Sequence, residues 1–363
     1  MSQEFARYHR QMLLPGFGQE GQQRLSESTV FLLGCGALGS VAADMLARAG
    51  VGHLVIADRD FVDLTNLQRQ VLFDERDVAD ATPKAQAAKR KIANINSGVQ
   101  VTSIVDDINH GNIERYASGA DVLLDGLDNF ETRYLANDLA VKTTRAYIYG
   151  AAVGTTGMAF PILPHAAHKT AWHVADNDLA TPCLRCLFEE APAPGSSPTC
   201  DTIGVISSAV AIVANYQVAE TLKILTGNYE RVNRTLLNLD LWANEFMALK
   251  VDDVYDKTDC PCCKHRQFDY LDGKVGSAAA ALCGRDAVQL RHRQQADGVD
   301  LDAIAARLSK NGAVNNSEFL LQAKIDDNGS NFEITLFADG RAIIKGTNDT
   351  GVARSIYAKY VGA

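Results

Sequence analysis

The chain predicts an α/β protein. The expected form is a mostly parallel sheet with helices on both faces, closed by antiparallel strands and followed by a small α+β appendage. Three observations carry this expectation. Short apolar runs alternate with helix-period segments from Thr29 to Ala152, the pattern of parallel strands joined by crossover helices. A glycine-rich turn follows the first of those runs. After Cys263 the composition shifts to a hairpin signal flanked by two helix-like segments.

Each element has its own reason. Thr29–Leu33 (TVFLL) reads as a buried strand and Ala37–Ala49 as the helix behind it. His53–Asp58 is a second strand. Pro83–Asn94 is a helix with proline in its first turn, where a missing N–H costs little. Val99–Ile104, Asp121–Asp125 and Tyr147–Ala152 complete five strands, with a helix over Phe130–Lys142 before the last. Thr156–Pro164 reads as antiparallel. Glu189–Pro198 (EEAPAPGSSP) reads as a mobile loop, and Ile203–Leu225 as one long apolar helix. Thr235–Asp240 and Phe246–Val251 form a closing hairpin. In the appendage, Phe332–Phe337 and Arg341–Lys345 flank Asp339-Gly340, a hairpin turn pair. Helices are expected over Leu301–Ser309 and Val352–Tyr360. The domain limits follow: residues 1–265, then 266–363.

Composition narrows the function. Of 363 residues, 47% are hydrophobic and 22% charged, ordinary for a globular protein of one large and one small domain. A formal charge of −9 argues against a general nucleic-acid surface. No apolar run is long enough to span a bilayer. The N-terminus, MSQEFARYHRQ, lacks a signal-peptide pattern, so a cytoplasmic location is expected. Eight cysteines, five of them in two short clusters, point to metal ligation or catalysis before disulfides.

Gly34, Gly36 and Gly39 form G-x-G-x-x-G between the first strand and its helix, a Rossmann-like arrangement. Such a turn serves either tight strand–helix packing or the approach of a phosphate to backbone N–H groups. Asp58 ends the second strand, where a carboxylate binds ribose hydroxyls of NAD and ATP alike. The stretch Asp60 to Gln70 (DFVDLTNLQRQ) then gathers polar groups, and Lys84 opens the next helix. Nicotinamide needs no such cations, whereas a triphosphate losing pyrophosphate does. Asp128 follows the fourth strand, and a carboxylate there can hold Mg²⁺ with substrate phosphates. The plain alternatives are a helix cap for Asp128 and solvated surface charges for Arg69 and Lys84.

These residues carry a resemblance. RYHRQMLLPGFG, GCGALGS, ADRDFVDLTNLQRQ, PKAQAA, DGLDNFETR, CLRC, TCDTIGV and CPCC occur in order over residues 7 to 263. The sequence resembles the ThiF/MoeB/HesA family of E1-like adenylyltransferases, nearest to the ThiF-type members of thiamine thiazole synthesis. The resemblance implies ATP-dependent adenylation of the C-terminal glycine of a small ubiquitin-like sulfur carrier ending in Gly-Gly, with pyrophosphate released. It implies that Gly34, Gly36 and Gly39 line the nucleotide site and that Asp58 binds the ribose. Asn66, Arg69 and Lys84 would contact phosphates, and Asp128 would bind Mg²⁺. Arg10 matches an arginine inserted from the partner subunit, which implies a homodimer. A sulfur-donor protein is a further implied partner. The same chemistry on a carrier of another pathway is the near alternative. An NAD-dependent oxidoreductase is the distant one, and it leaves Arg69, Lys84 and Asp128 idle.

Cys183, Cys186, Cys260 and Cys263 form two C-x-x-C pairs, each spaced for two thiolates on one tetrahedral Zn²⁺. Spacing leaves open whether they share a site; the family pattern implies that they do, with Cys262 spare. Cys200 lies between the loop and the long helix, where a thiol is expected to ionise readily. In ThiF-like proteins the matching cysteine can join the carrier covalently during sulfur transfer; a loop cysteine without an essential role is the plain alternative. Cys35 and Cys283 read as small packing residues. Ser207-Ser208 stand where the family usually has a proline, so the bend at that helix start is in question. His165, His168 and His173 fit no single helical face and read as solvated loop residues.

Overall fold

The computed structural model describes residues 3–165, 179–190, 200–275, 281–282, 287–290, 299–309, 312–317, 319–327, 329–337 and 340–361. Strands form with both faces covered where the sequence is apolar without alternation, and a partly exposed edge strand of sequence QVTSI completes the first five. These are β1 (Thr29–Leu33), β2 (His53–Ala57), β3 (Gln100–Ile104), β4 (Val122–Asp125) and β5 (Ala146–Val153), all parallel. β6 (Thr156–Ile162), β7 (Thr235–Asp240) and β8 (Glu245–Lys250) extend the sheet antiparallel. The strand order is β3-β2-β1-β4-β5-β6-β7-β8. The chain therefore leaves β1 in one direction and returns to its other side at β4. That reversal opens a crevice at the carboxyl ends of β1 and β4, where open α/β sheets take ligands.

Helices cover both faces. Ala37–Ala49 packs its buried face with Leu46, Leu54, Ile56 and Leu124 on one side of the sheet. Phe130–Thr143 packs Tyr134, Leu135 and Leu139 against Phe31, Leu33 and Leu123 on the other. The long helix expected from Ile203 is split. A short turn, Cys200–Ile203, is followed by Gly204 at φ +78, and the helix proper is Ser207–Leu225. Gly204 makes the bend: its carbonyl accepts from Gly154 N–H at 2.8 Å, and Ile206 N–H returns to Gly154 O at 2.9 Å. No proline is needed for it.

The described residues divide into two compact units. The larger holds the eight-stranded sheet. The smaller includes Ala79–Ala81, Ala193–Ile203 and Ser277–Ala363. Within it, β9 (Ala281–Leu282), β10 (Ala287–Leu290), β11 (Val314–Asn316), β12 (Leu320–Asp327), β13 (Ser330–Phe337) and β14 (Ala342–Lys345) form an antiparallel sheet. Its order is β11-β12-β13-β14-β10-β9. One face buries Val288, Leu321, Ile334 and Ile344 with Ile304 of the Leu301–Leu308 helix and Ile356 of the Thr350–Tyr360 helix. Asp300 and Asp349 cap those helices through their first N–H groups. The β13–β14 hairpin closes at Gly340, φ +83; Asp339 lies outside the described residues. So do Cys283, His168, His173 and residues 191–199 of the proline-rich stretch.

Candidate functional site

Register brings the predicted residues together. Leu33 of β1 pairs with Ala57 of β2 and Asp125 of β4, so Gly34, Asp58 and Gly126 leave the sheet side by side. Gly34 N–H donates to Ala57 O, and Gly126 N–H to Leu33 O, both at 2.8 Å. The glycines divide by role. A Cβ on Gly39 would lie 2.1 Å from Gly34 O, and one on Gly34 would lie 2.6 Å from Gly126 O. Those two permit close packing of backbone. A Cβ on Gly36 would meet nothing nearer than 3.9 Å. No neighbour in the described protein requires glycine there, which leaves room for a ligand to approach the Ala37–Ala49 helix N-terminus, itself without a side-chain cap.

Asp58 is held by backbone. Its Oδ2 accepts from Cys35 N–H and its Oδ1 from Asp60 N–H, both at 2.7 Å. Burial raises this carboxyl above its ordinary value, against the pull of Lys84. Lys84 is only 3% exposed, so it is no solvated surface charge. Its Nζ lies 3.1 Å from Asp60 Oδ2, and its N–H bonds Asp60 O at 2.9 Å. Asn66 is buried, and its Oδ1 accepts from Asp63 N–H in a reciprocal capping turn. Arg69 is partly exposed, with Nη1 donating to Thr65 O at 2.9 Å.

Asp128 is not the helix cap. Asn129 takes that place: its side chain accepts from Thr132 N–H at 2.9 Å. Asp128 is left beside the crevice, with Asn129 Nδ2 3.4 Å from its Oδ1. Arg59, inside the quoted ADRDFVDLTNLQRQ but given no role there, lies among the acids. It bonds Asp107 at 3.0 Å. Burial alone would lower its pKa, but Asp60, Asp107, Asp128 and Asp58 outweigh that and raise it. A second missed residue is Arg133, inside the quoted DGLDNFETR. Its Nε lies 3.1 Å from Asp125 Oδ2, and its Nη2 donates to Leu127 O at 2.7 Å and Gly150 O at 3.0 Å. It therefore fixes the turn that carries Asp128.

The four cysteines converge. The sulfurs of Cys183, Cys186, Cys260 and Cys263 all lie within 4.8 Å of one another. The separations are 3.8 Å for Cys183–Cys186, 3.6 Å for Cys183–Cys260 and 3.3 Å for Cys186–Cys263. Four thiolates on a tetrahedral Zn²⁺ with 2.3 Å bonds stand about 3.8 Å apart, so the set fits that ion. Hydrogen bonds from the other cysteines, Cys186 first, push the Cys183 thiol well below its ordinary value. Cys262 is not one of the four: its Sγ donates to Asp138 Oδ1 at 3.3 Å and accepts from Asn137 Nδ2 at 3.4 Å. His165 stacks on Tyr255, ring centroids 3.7 Å apart. Cys200 opens the short Cys200–Ile203 turn, seven residues before the long helix, and groups with the smaller unit. Arg10 is exposed on the His9–Met12 helix, away from these residues' hydrogen bonds.

The model of the ThiF family matches residues 8–262. The chain belongs to the ThiF family. Within and beyond that segment it is similar to the sulfur carrier protein ThiS adenylyltransferase of Bacillus subtilis (strain 168). The two are 42% identical over 357 residues, 98% of this chain and 99% of that one. It is 34% identical to the sulfur carrier protein adenylyltransferase of Thermus thermophilus, over 72% of this chain and 91% of that one. Among solved structures it resembles E. coli MccB, with a TM-score of 0.57 and 22% identity over 72% of each chain. At that identity the likeness to MccB is one of fold. Both relatives are named as sulfur carrier protein adenylyltransferases.

Proposed function

We propose that this chain adenylates the C-terminal glycine carboxylate of a small ubiquitin-like sulfur carrier of the ThiS type, for sulfur transfer in thiamine thiazole synthesis. The observation that carries the reading is one crevice holding an open glycine turn at Gly36, a buried Lys84 and an Asp128 not engaged as a helix cap. The near full-length similarity to ThiS adenylyltransferase supports the substrate class. A protein substrate also accounts for Phe246, Met247 and Leu249, exposed along the β8 edge, and for Trp242 in the turn before it; an apolar edge is costly to keep unless something uses it.

The chemistry lies in residues 1–265, with 266–363 as a separate small domain. Asp58 binds the ribose, and the backbone at Gly34, Gly36 and Gly39 receives the phosphates. The carrier's carboxylate, ionised at pH 7, attacks the α-phosphorus without a general base. A P–O bond forms to the glycine oxygen as the bond to the β-phosphate breaks, and pyrophosphate leaves with the electron pair. Asn66, Arg69 and Lys84 offset the charge, joined by Arg10 from a second copy. Asp128 is the residue to hold Mg²⁺, which would neutralise phosphate charge. Cys183, Cys186, Cys260 and Cys263 hold a structural Zn²⁺. Cys200 takes the activated carboxyl after adenylation: its thiolate displaces AMP to form a thioester.

Carrier-dependent exchange of labelled pyrophosphate into ATP tests this reading. The wild type exchanges, and Asp128→Asn and Lys84→Met each lose about a hundredfold or more. Cys200→Ser keeps exchange and loses the dithiothreitol-sensitive adduct seen by intact mass spectrometry. Wild-type exchange in Asp128→Asn, or exchange that proceeds without carrier, overturns the assignment.

A further inference from the structure

Strands β4 and β5 separate at their carboxyl ends. Their pairing stops at Leu124 and Ile148, while β5 runs on beside β6 to Val153. The Ser207–Leu225 helix puts one side chain into the split. Gln217 is fully buried, and its Nε2 donates to Asp125 O and to Ile148 O, both at 2.9 Å. The amide thus uses both of its hydrogens, one on each strand. Its Oε1 is enclosed and has no partner among the described residues. An idle buried acceptor is unfavourable. The position tolerates it because two donors on one atom are what the split requires. The backbone of β5 is shaped to admit the amide: a Cβ on Gly150 would lie 2.4 Å from both Cδ and Nε2 of Gln217.

We infer that Gln217 is a positioning residue of the adenylation site, holding the turn after β4 so that Asp128 keeps its place in the crevice. The inference rests on the reading of Asp128 as the carboxylate that holds Mg²⁺. The turn is fixed group by group. Gly126 N–H donates to Leu33 O at 2.8 Å, Leu127 N–H to Asp125 Oδ1 at 2.9 Å, and Arg133 Nη2 to Leu127 O at 2.7 Å. Gln217 adds the Asp125 carbonyl, whose peptide plane is shared with Gly126. The two side-chain clamps come from opposite layers. Val218 and Ile224 of the Gln217 helix pack with Leu124 and Ile148, whereas Tyr134 and Leu135 of the Arg133 helix pack with Leu123 and Tyr147. Removing either clamp lets the peptide tilt on that side. Asp128 follows three residues after the clamped carbonyl, so the tilt reaches its carboxylate through the main chain. Gln217 itself touches no substrate.

Gln217→Met keeps an unbranched side chain of similar length and removes both donors. Its kcat for carrier-dependent pyrophosphate exchange falls about a hundredfold, as a shift of about 1 Å in a site residue suffices for that. Mn²⁺ binding to the ATP-loaded protein, read by electron paramagnetic resonance, weakens about tenfold, and KM for the carrier stays within about twofold. Glu220→Met is the control for plain loss of stability. It strips a buried acid from the same helix, where the carboxylate accepts from Asn233 N–H at 2.8 Å. It lowers the melting temperature and leaves kcat and Mn²⁺ affinity unchanged. Gly150→Ala keeps the glutamine but crowds its amide off the two carbonyls, so it repeats both losses and decides the matter if Gln217→Met does not fold. Wild-type kcat and Mn²⁺ affinity in a folded Gln217→Met or Gly150→Ala, or the same losses in Glu220→Met, overturns the inference. Asp128→Asn run alongside separates the two claims. If it loses Mn²⁺ while Gln217→Met does not, only the glutamine assignment fails. If it binds Mn²⁺ as the wild type does, the reading of Asp128 fails and the inference with it.

Discussion

Asp125 and Arg133 carry opposite charges at a position from which water is excluded. Asp125 is 1% and Arg133 5% exposed. Burial raises the Asp125 carboxyl, and Arg133, Tyr147 and the Leu127 N–H work against it. Every oxygen of the pair's acid is used: Oδ2 receives Arg133 Nε and the Tyr147 hydroxyl at 2.7 Å, and Oδ1 receives Leu127 N–H at 2.9 Å. Such a pair is costly to halve, because the survivor is a buried charge without compensation. Arg133→Met should therefore destabilise the protein by about 3–5 kcal/mol, and Asp125→Asn by a similar amount. The double variant should lose clearly less than the sum, since neither charge is stranded in it. Urea unfolding of the four proteins measures the cycle. Additive losses would mean that the two residues act separately. Because Arg133 also holds Leu127 O, the same cycle reports on the turn that carries Asp128.

The Phe130–Thr143 helix is the element that joins this turn to the cysteine cluster. Near its start it holds Asp125 and the Leu127 carbonyl through the buried Arg133. Farther on, Asn137 Oδ1 accepts from Leu184 N–H at 2.8 Å, inside the first C-x-x-C. Asn137 and Asp138 take the Cys262 thiol, and Asp138 Oδ2 accepts from Tyr270 N–H at 3.0 Å. The helix is thus the template on which both cysteine loops fold. Cys183→Ser should lower zinc below about one per chain and lower the melting temperature, as metal binding is coupled to folding. Cys262→Ser should keep its zinc, since its side chain points at Asp138. Elemental analysis of the two variants decides, and equal zinc loss in both would make Cys262 a ligand. Sequence spacing left open whether the two C-x-x-C pairs share one site, because the helix that seats both lies more than a hundred residues before the second pair. The inner parallel strands were legible because both faces are buried, so TVFLL and its like need no partner to be recognised. The bend at Gly204 was not, since it depends on a pairing with Gly154. Nor were Arg59 and Arg133 legible as site residues. Arginine after a strand or in a helix reads as surface, and only the register of β1, β2 and β4 surrounds them with acids. Strands β9 to β12 escaped notice because they lack the clear turn pair of the β13–β14 hairpin.

At the scale of the molecule the question is how Arg10 could reach a nucleotide. Its neighbours are tied down. The Tyr8 ring packs on Gly50, so closely that a Cβ there would lie 2.4 Å from it. Asn96 Nδ2 bridges the Tyr8 hydroxyl at 2.7 Å and Ala47 O at 2.8 Å. Gln11 Nε2 donates to Ala49 O at 2.6 Å, and Arg7 to Ile95 O at 3.2 Å. Ala47, Ala49 and Gly50 lie at the C-terminal end of the Ala37–Ala49 helix, and Ile95 and Asn96 at the C-terminal end of the Lys84–Ile95 helix, whereas Gly36 lies at the N-terminal end of the first. At 1.5 Å per residue the two ends are about 18 Å apart, a span that no arginine side chain bridges. Arg10 is exposed, with Leu13 and Leu14 beside it at 68% and 58% exposure. An exposed arginine flanked by exposed leucines suits a surface that another copy covers. If Arg10 serves the site of a second copy, Arg10→Ala and Asp128→Ala are each inactive alone. Mixed in equal amounts and allowed to exchange subunits, they recover about one quarter of wild-type exchange activity. Half of the dimers are then hybrids, and each hybrid has one complete site of two. Native mass spectrometry confirms the hybrids. No recovery in a mixture that contains them, or full activity of Arg10→Ala by itself, would confine each site to one chain and remove Arg10 from the reaction.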